Sequence, residues 1–210
     1  MKFGGTSVST ARNWETIGSE IAERLGRNLR PLVVHSALSG VSDKLEGLLD
    51  AATSDRHDAL IDAIVQVHLS LSEDLAVDGQ VVLRGYFDEL RKIAAGIALV
   101  GEASVRLHAR TLALGELMAT ALGAAYLKRC GFDVHWWDAR ELLQSEPRPH
   151  GGERARYLSA TCGFAPDERL RRELGAAGGV VITQGFIARD PNGATVLLGR
   201  GGSDISASYL

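Results

Sequence analysis

The stretch RPLVVHSALSGVSDKLEGLLDAA, residues 30–52, holds the two signals on which the fold turns. Its first half, Leu32–Ser36, is a short apolar run that reads as a buried strand ending in a loop of small residues. In its second half Asp43 is followed three residues later by Glu46, which reads as a capping box opening the helix DKLEGLLDAA. Upstream, Thr10–Arg27 places Trp14, Ile17, Ile21, Ala22 and Leu25 at helical spacing. The first residues, MKFGGTSVST, read as a strand weakened by paired glycines. Strand, helix, strand and helix in succession predict an α/β fold with a mostly parallel sheet.

The middle of the chain is predicted to be helical. His57–Leu75 repeats Leu60, Ile61, Ile64, Val67, Leu71 and Leu75, a second helix covers Val81–Val100, and a third begins near Glu102 and runs through RTLALGELMATALGAAYLKRC. The small residues of that third helix, Ala113, Gly115, Ala119, Ala121 and Gly123, predict close packing beneath the sheet. FDVHWWDA returns as a strand over Asp133–Trp137. Near the end, Val180–Ala188 and Thr195–Leu198 read as two strands joined by RDPNG, whose turn chemistry predicts an antiparallel pair. GRGGSD then leads into a helix at Ile205. With no repeat or low-complexity linker, one domain is expected.

Bulk properties exclude several function classes. A formal net charge of −3 over 210 residues supplies no field for nucleic acid or an anionic membrane. No basic block of five or more residues occurs, and RLRREL at Arg169–Leu174 reads as a solvated helix face. Cys130 and Cys162 form no metal or redox spacing, which favours a reducing, cytoplasmic setting. No signal peptide or membrane span is apparent, and no metal-ligand cluster is predicted. His35 and His135 lie in strand-like runs and read as packing residues.

Three segments share one design, a strand end followed by glycine and hydroxyl residues and then a helix: Lys2–Ser9, Ser36–Asp43 and Gly199–Asp204. Ligands collect at the carboxyl ends of parallel strands, and helix N-termini there suit phosphate. Glycine lets backbone N–H groups approach an anion without a Cβ in the way. Neither a Walker P-loop nor a G-x-G-x-x-G follows any strand. The remaining pattern is a phosphate-handling site with Lys2 and Arg200 as cations and Asp204 as a carboxylate. Glu116 sits among small and apolar neighbours, where a carboxylate needs a partner or a ligand cation. Lys2 as a frayed terminal residue, Arg200 with Asp204 as a local ion pair and Glu116 as a solvated side chain are the plainer alternatives.

KFGGTSV (2–8), GELMAT (115–120) and ITQGFIA…LLGRGGSD (182–204) together resemble the aspartokinases of the amino acid kinase family, which make 4-phospho-L-aspartate from L-aspartate and ATP. The resemblance spans Lys2 to Asp204 in the family's order. It implies a three-layer α/β/α fold of the amino acid kinase type, and Lys2 and Asp204 as catalytic residues. It implies Gly4, Gly5, Thr6, Ser7, Gly201 and Gly202 as the phosphate loops. Ser42, Glu116, Arg200 and Ser203 would bind the amino acid: Ser42 its side-chain carboxylate, Glu116 its ammonium group and Arg200 its α-carboxylate. Mg²⁺ would accompany ATP, and the full-length protein would be a homo-oligomer. Aspartokinases continue with further nucleotide contacts and regulatory ACT domains, so residues 1–210 are expected to be the N-terminal, amino-acid-binding portion of the catalytic domain. The C-terminal part of that domain would be missing, and the portion alone is expected to be inactive. A sibling kinase acting on another carboxylate, and a non-catalytic aspartate-binding module, are the competing readings.

Overall fold

The computed structural model describes residues 1–147, 151–163, 165–199 and 201–210. Strand β1 (Lys2–Phe3) passes through a 3₁₀ turn at Gly5–Val8 into α1 (Ala11–Gly26), and β2 (Leu32–His35) is followed by α2 (Val41–Ala52). Three long helices come next, α3 (Asp58–Asp74), α4 (Gly79–Val100) and α5 (Val105–Arg129). Strand β3 (Val134–Trp136) precedes three short helices, α6 (Ala139–Leu142), α7 (Glu153–Leu158) and α8 (Glu168–Ala176). The chain closes with β4 (Val180–Gln184), the hairpin strands β5 (Ile187–Arg189) and β6 (Thr195–Leu197), and α9 (Gly202–Tyr209).

The predicted parallel sheet is present, in the order β1-β2-β4-β3, with every neighbouring pair parallel. Strand β4, inserted between β2 and β3, is buried along its whole length, which requires cover on both faces. Register shows what provides it. Val33, His35, Ile182, Gln184 and Trp136 share one face, where His35 meets Trp14 of α1 edge-on and Gln184 and Trp136 both donate to Thr120 of α5. Lys2 and Val34 point to the other face, where Lys2 meets Asp204 of α9. The sheet therefore lies between helical layers.

Four local expectations are corrected. The run Val180–Ala188 is two strands, because Phe186 adopts a left-handed backbone with φ of 71° and turns the chain out of the sheet after Gln184. Helix α2 begins at Val41, with Gly40 as its N-cap in the left-handed region, so Asp43 lies inside the first turn and caps nothing. Helix α9 begins at Gly202, so Ser203 and Asp204 stand in its first turn, not ahead of it. His135 is only partly covered, its side chain 39% exposed beside Asp133, whereas His35 is the buried packing residue that was expected. Helix α8, carrying RLRREL, buries Leu170 alone and turns its charges outward, as expected.

Helix α5 is buried without interruption from Thr111 to Thr120. An element covered on all sides needs small residues where backbones converge. A Cβ on Gly115 would lie 3.0 Å from Leu45 Cδ1 and 3.1 Å from Ala37 Cβ, and one on Gly123 would lie 2.2 Å from Cη2 of the buried Trp14. Gly123→Ala is expected to lower stability by about 1–3 kcal/mol, because the indole has no room to retreat. Gly85→Ala in α4, where an added Cβ meets nothing within 4 Å, is the control and gains up to ~1 kcal/mol of helix propensity. Urea unfolding of both variants measures this, and equal midpoints would refute the close-packing account.

Candidate active site

Strand β1 ends at Phe3, β2 at His35 and β4 at Gln184, and all three ends open on a common cavity of about 420 Å³. Of the residues expected from sequence, Lys2, Ser42, Glu116, Gly201, Gly202, Ser203 and Asp204 line it together. They come from β1, α2, α5 and the start of α9, so positions separated by most of the chain converge at the carboxyl edge of one sheet. Gly4, Gly5, Thr6 and Ser7 form the 3₁₀ turn next to Lys2 and do not line the cavity. Arg200 lies outside the described residues.

The loops are fastened to one another by short contacts. A Cβ on Gly5 would lie 2.7 Å from the carbonyl oxygen of Ala37, so only glycine permits this approach of the β1 and β2 loops. Ser9 reinforces it: its hydroxyl donates to Gly5 O at 2.6 Å and accepts the Ser39 N–H at 2.9 Å. Helix α9 is tied in by Lys2 Nζ to Asp204 Oδ1 at 3.1 Å and by the Ser36 hydroxyl donating to Ser203 Oγ at 2.8 Å. Asp204 is well exposed, so this ion pair contributes at most about 1 kcal/mol to stability and serves mainly to hold the ammonium at the cavity. Gly185 and Gly202 complete the fit, facing Ser203 and Phe186 at distances that exclude any Cβ.

Glu116 is the unusual group. It is 4% exposed, receives a hydrogen bond from the backbone of Ala37, and leaves Oε2 buried with no partner in the described structure. Burial raises its pKa from the ordinary 4.5 to about 8, opposed only by that backbone bond. Its position on α5 is fixed one turn further on. The Thr120 hydroxyl donates to the carbonyl of Glu116 at 2.9 Å and accepts from Trp136 Nε1 at 3.0 Å and Gln184 Nε2 at 2.8 Å. Gln184 Oε1 in turn accepts the Ala139 N–H at 2.7 Å. The helix carrying Glu116 is thereby pinned to β3, β4 and the start of α6.

A profile of the amino acid kinase family matches residues 1–210. The chain belongs to the amino acid kinase family. It is 30% identical to lysine-sensitive aspartokinase 3 of Escherichia coli (strain K12) across all of this chain and 45% of that protein. It is 29% identical to the chloroplastic aspartokinase 1 of Arabidopsis thaliana, covering 37% of its length. Among solved structures, E. coli aspartokinase III in complex with aspartate and ADP superposes with a TM-score of 0.79 at 28% identity, over 99% of this chain and 45% of that one. The aspartate kinase of Clostridium acetobutylicum, at 19% identity and a TM-score of 0.71, shares the fold. This chain thus spans under half the length of these relatives.

Several cavity residues of this amino acid kinase were given no site role by the sequence reading, among them Ser36, Asp43, Glu46, Leu112 and Phe186. Ser36 stands just past the end of β2 and acquires its place through a tertiary contact, its hydroxyl meeting Ser203 of α9. Phe186 lines the cavity because its left-handed backbone turns it off the sheet; Gly185 before it was the available signal. Among the described residues no group of three or more His, Cys, Asp or Glu is arranged to hold a metal ion, and no helix is long and apolar enough to cross a membrane.

Glu116 makes stability depend on pH with a definite sign. Its folded pKa lies above the unfolded value, so its stabilising contribution is complete below about pH 4.5 and is lost as pH rises through about 8. Glu116→Gln removes that slope, and the ligand-free variant is expected to gain on the wild type from pH 5 to about pH 8 and to level off above it. Urea midpoints across this range test it; curves that stay parallel would show that Glu116 does not titrate there.

Proposed function

We propose that this amino acid kinase carries the amino-acid-binding portion of an aspartate kinase. The reaction moves the γ-phosphoryl group of ATP to the side-chain carboxylate of L-aspartate, giving 4-phospho-L-aspartate and ADP. The observation that carries this reading is Glu116, a buried carboxylate with a free oxygen opening on the same cavity as Lys2. A ligand ammonium group there would supply the missing partner and restore the ionised form. The similarity to an aspartokinase solved with aspartate and ADP supports the same substrate pair.

The chemistry asks little of the protein beyond placement. The acceptor is a carboxylate that is already ionised, so no general base is needed, and rate comes from positioning and from neutralising charge on the transferred group. Lys2, held by Asp204, is placed to meet that charge as a compact cation. Ser42, and with it Ser203 held by the Ser36 hydroxyl, would donate hydroxyl hydrogen bonds to the acceptor carboxylate. Arg200, as the resemblance has it, would bind the α-carboxylate in a planar fork. The Gly4–Ser7 turn and Gly201–Gly202 offer backbone N–H groups for phosphate. Mg²⁺ with ATP belongs to the proposal: such an ion takes one or two carboxylates beside phosphate oxygens and water, and neutralises phosphate charge. The exposed carboxylates of Asp204 and Asp43 at the cavity fit that demand. A cytoplasmic setting, suggested by the free thiols Cys130 and Cys162, and a homo-oligomeric full-length protein, suggested by the resemblance, complete the reading.

Lys2→Ala is expected to abolish phosphoryl transfer in the intact protein while changing aspartate affinity by less than about threefold, because the cation acts on the phosphoryl group. Strong residual turnover would sink the assignment. Aspartate binding at pH 7 should also release a proton, since Glu116 is protonated when empty and ionised against the ligand ammonium. Calorimetry in buffers of different ionisation enthalpy detects this. Glu116→Gln should lose both the release and most of the affinity, and N-acetylaspartate, which lacks the ammonium group, should not bind to either protein.

A further inference from the structure

Glu116 is not the only glutamate at the cavity. Ser42 and Glu46 lie one turn apart on α2 and both line it, as do Leu112 and Glu116 on the facing side of α5. One turn before Leu112 stands His108, whose Nε2 is 2.7 Å from Glu46 Oε2. A carboxylate can only accept, so Nε2 carries the hydrogen and the ring donates, whether charged or neutral. The His108 side chain is 18% exposed and that of Glu46 51%, which places the contact at the mouth of the cavity. Among the described residues it is the one side-chain ion pair between α2 and α5.

An unpartnered Glu46 carboxylate at that mouth would act against the binding proposed for Glu116, because it would offer the ammonium a second, more accessible partner in which the acceptor carboxylate is misplaced relative to Lys2. Exposed Asp43 lies on the same rim, and Lys2 is already paired with Asp204.

We propose that His108 is a positioning residue that occupies Glu46 and so leaves Glu116 as the sole glutamate of the cavity free to select the ammonium group of the amino-acid substrate. The inference rests on the aspartate reading above. It differs from a merely structural tie between α2 and α5 in one respect: removing the charge of Glu46 makes His108 unnecessary.

The test is aspartate affinity by calorimetry, with steady-state kinetics, on the intact protein carrying His108→Ala, Glu46→Gln and both together. His108→Ala should weaken aspartate binding by about five- to tenfold and raise KM with kcat nearly unchanged. Glu46→Gln should bind aspartate no more weakly than the wild type, and the double variant should recover to within about twofold of it. A double variant as weak as His108→Ala would assign the contact a structural role and overturn the inference. Wild-type affinity in His108→Ala would overturn it as well. Failure of the unaltered protein to bind aspartate at all would overturn the aspartate reading and the inference with it, and is distinguishable because no variant is needed to see it.

Discussion

Gly115 and Gly123 set how closely α5 can lie against α2 and α1, and the rest of the molecule is arranged around that closeness. Methyl groups at either position would collide with Ala37 and Leu45 or with the indole of Trp14. Because α5 has no freedom to withdraw, the side chain halfway along it has no freedom to reach water. That side chain is Glu116. Thr120 adds direction to the constraint by binding β3 and β4 through Trp136 and Gln184, so the helix can neither slide nor rotate without stranding buried donors. A tightly packed helix thus delivers one ionisable group, at fixed depth, to a sheet edge where the backbone is open.

The opposite wall is built on a different principle. Lys2, Ser36, Ser203 and Asp204 lie on loops and on the first turn of α9, and the contacts that join them are individually small in energy. Their significance is geometric. Gly5 against Ala37, Gly185 against Ser203 and Gly202 against Phe186 each remove one side chain's worth of space, so the loops after β1, β2 and β4 meet without intervening bulk. Phe186 accepts a left-handed backbone, uncommon for a bulky residue, and the strain is held by its N–H donating to Ser206 Oγ and its carbonyl accepting from Leu198. A strained residue over-determined by its neighbours, at the edge of a cavity, is a common way of keeping a site in one shape.

Much of this was legible in the chain because its signals are local. The long amphipathic helices follow from 3.6-residue spacing, the buried strands from short apolar runs, and the hairpin from RDPNG, which forms between β5 and β6 as expected. What escaped depends on tertiary partners. Nothing within Asp43–Glu46 distinguishes a capping box from a first-turn acid and a carboxylate reserved for His108; Gly40 in a left-handed conformation decides it. The break after Gln184 required knowing that β4 is the sheet's interior strand and that β5 pairs elsewhere. For the cavity, residue types that are costly in their surroundings stood out: a lysine beside paired glycines, and a glutamate among alanines and leucines. Ser36, ordinary in composition, stood out only once the fold brought α9 and Ser203 against it.

The composition of the cavity also argues about chemistry through what its groups can do. None of the described residues lining it is a histidine, cysteine or tyrosine, and the nearby His108 is directed to Glu46 at the rim. An alcohol acceptor would need one of the carboxylates to remove its proton; Glu116 holds its own near neutrality, Asp204 is engaged by Lys2 and Glu46 by His108, which leaves Asp43 at the exposed rim. A carboxylate acceptor needs no such help. Its demand is the reverse, for cations and hydroxyl donors to gather two anions at bonding distance. Lys2 with the hydroxyls of Ser42 and Ser203 is an arrangement of that kind. Under the proposed function, the unpartnered oxygen of Glu116 would add selection for an ammonium group on the same ligand, which is why an acceptor that is at once an acid and a free amine suits this donor set.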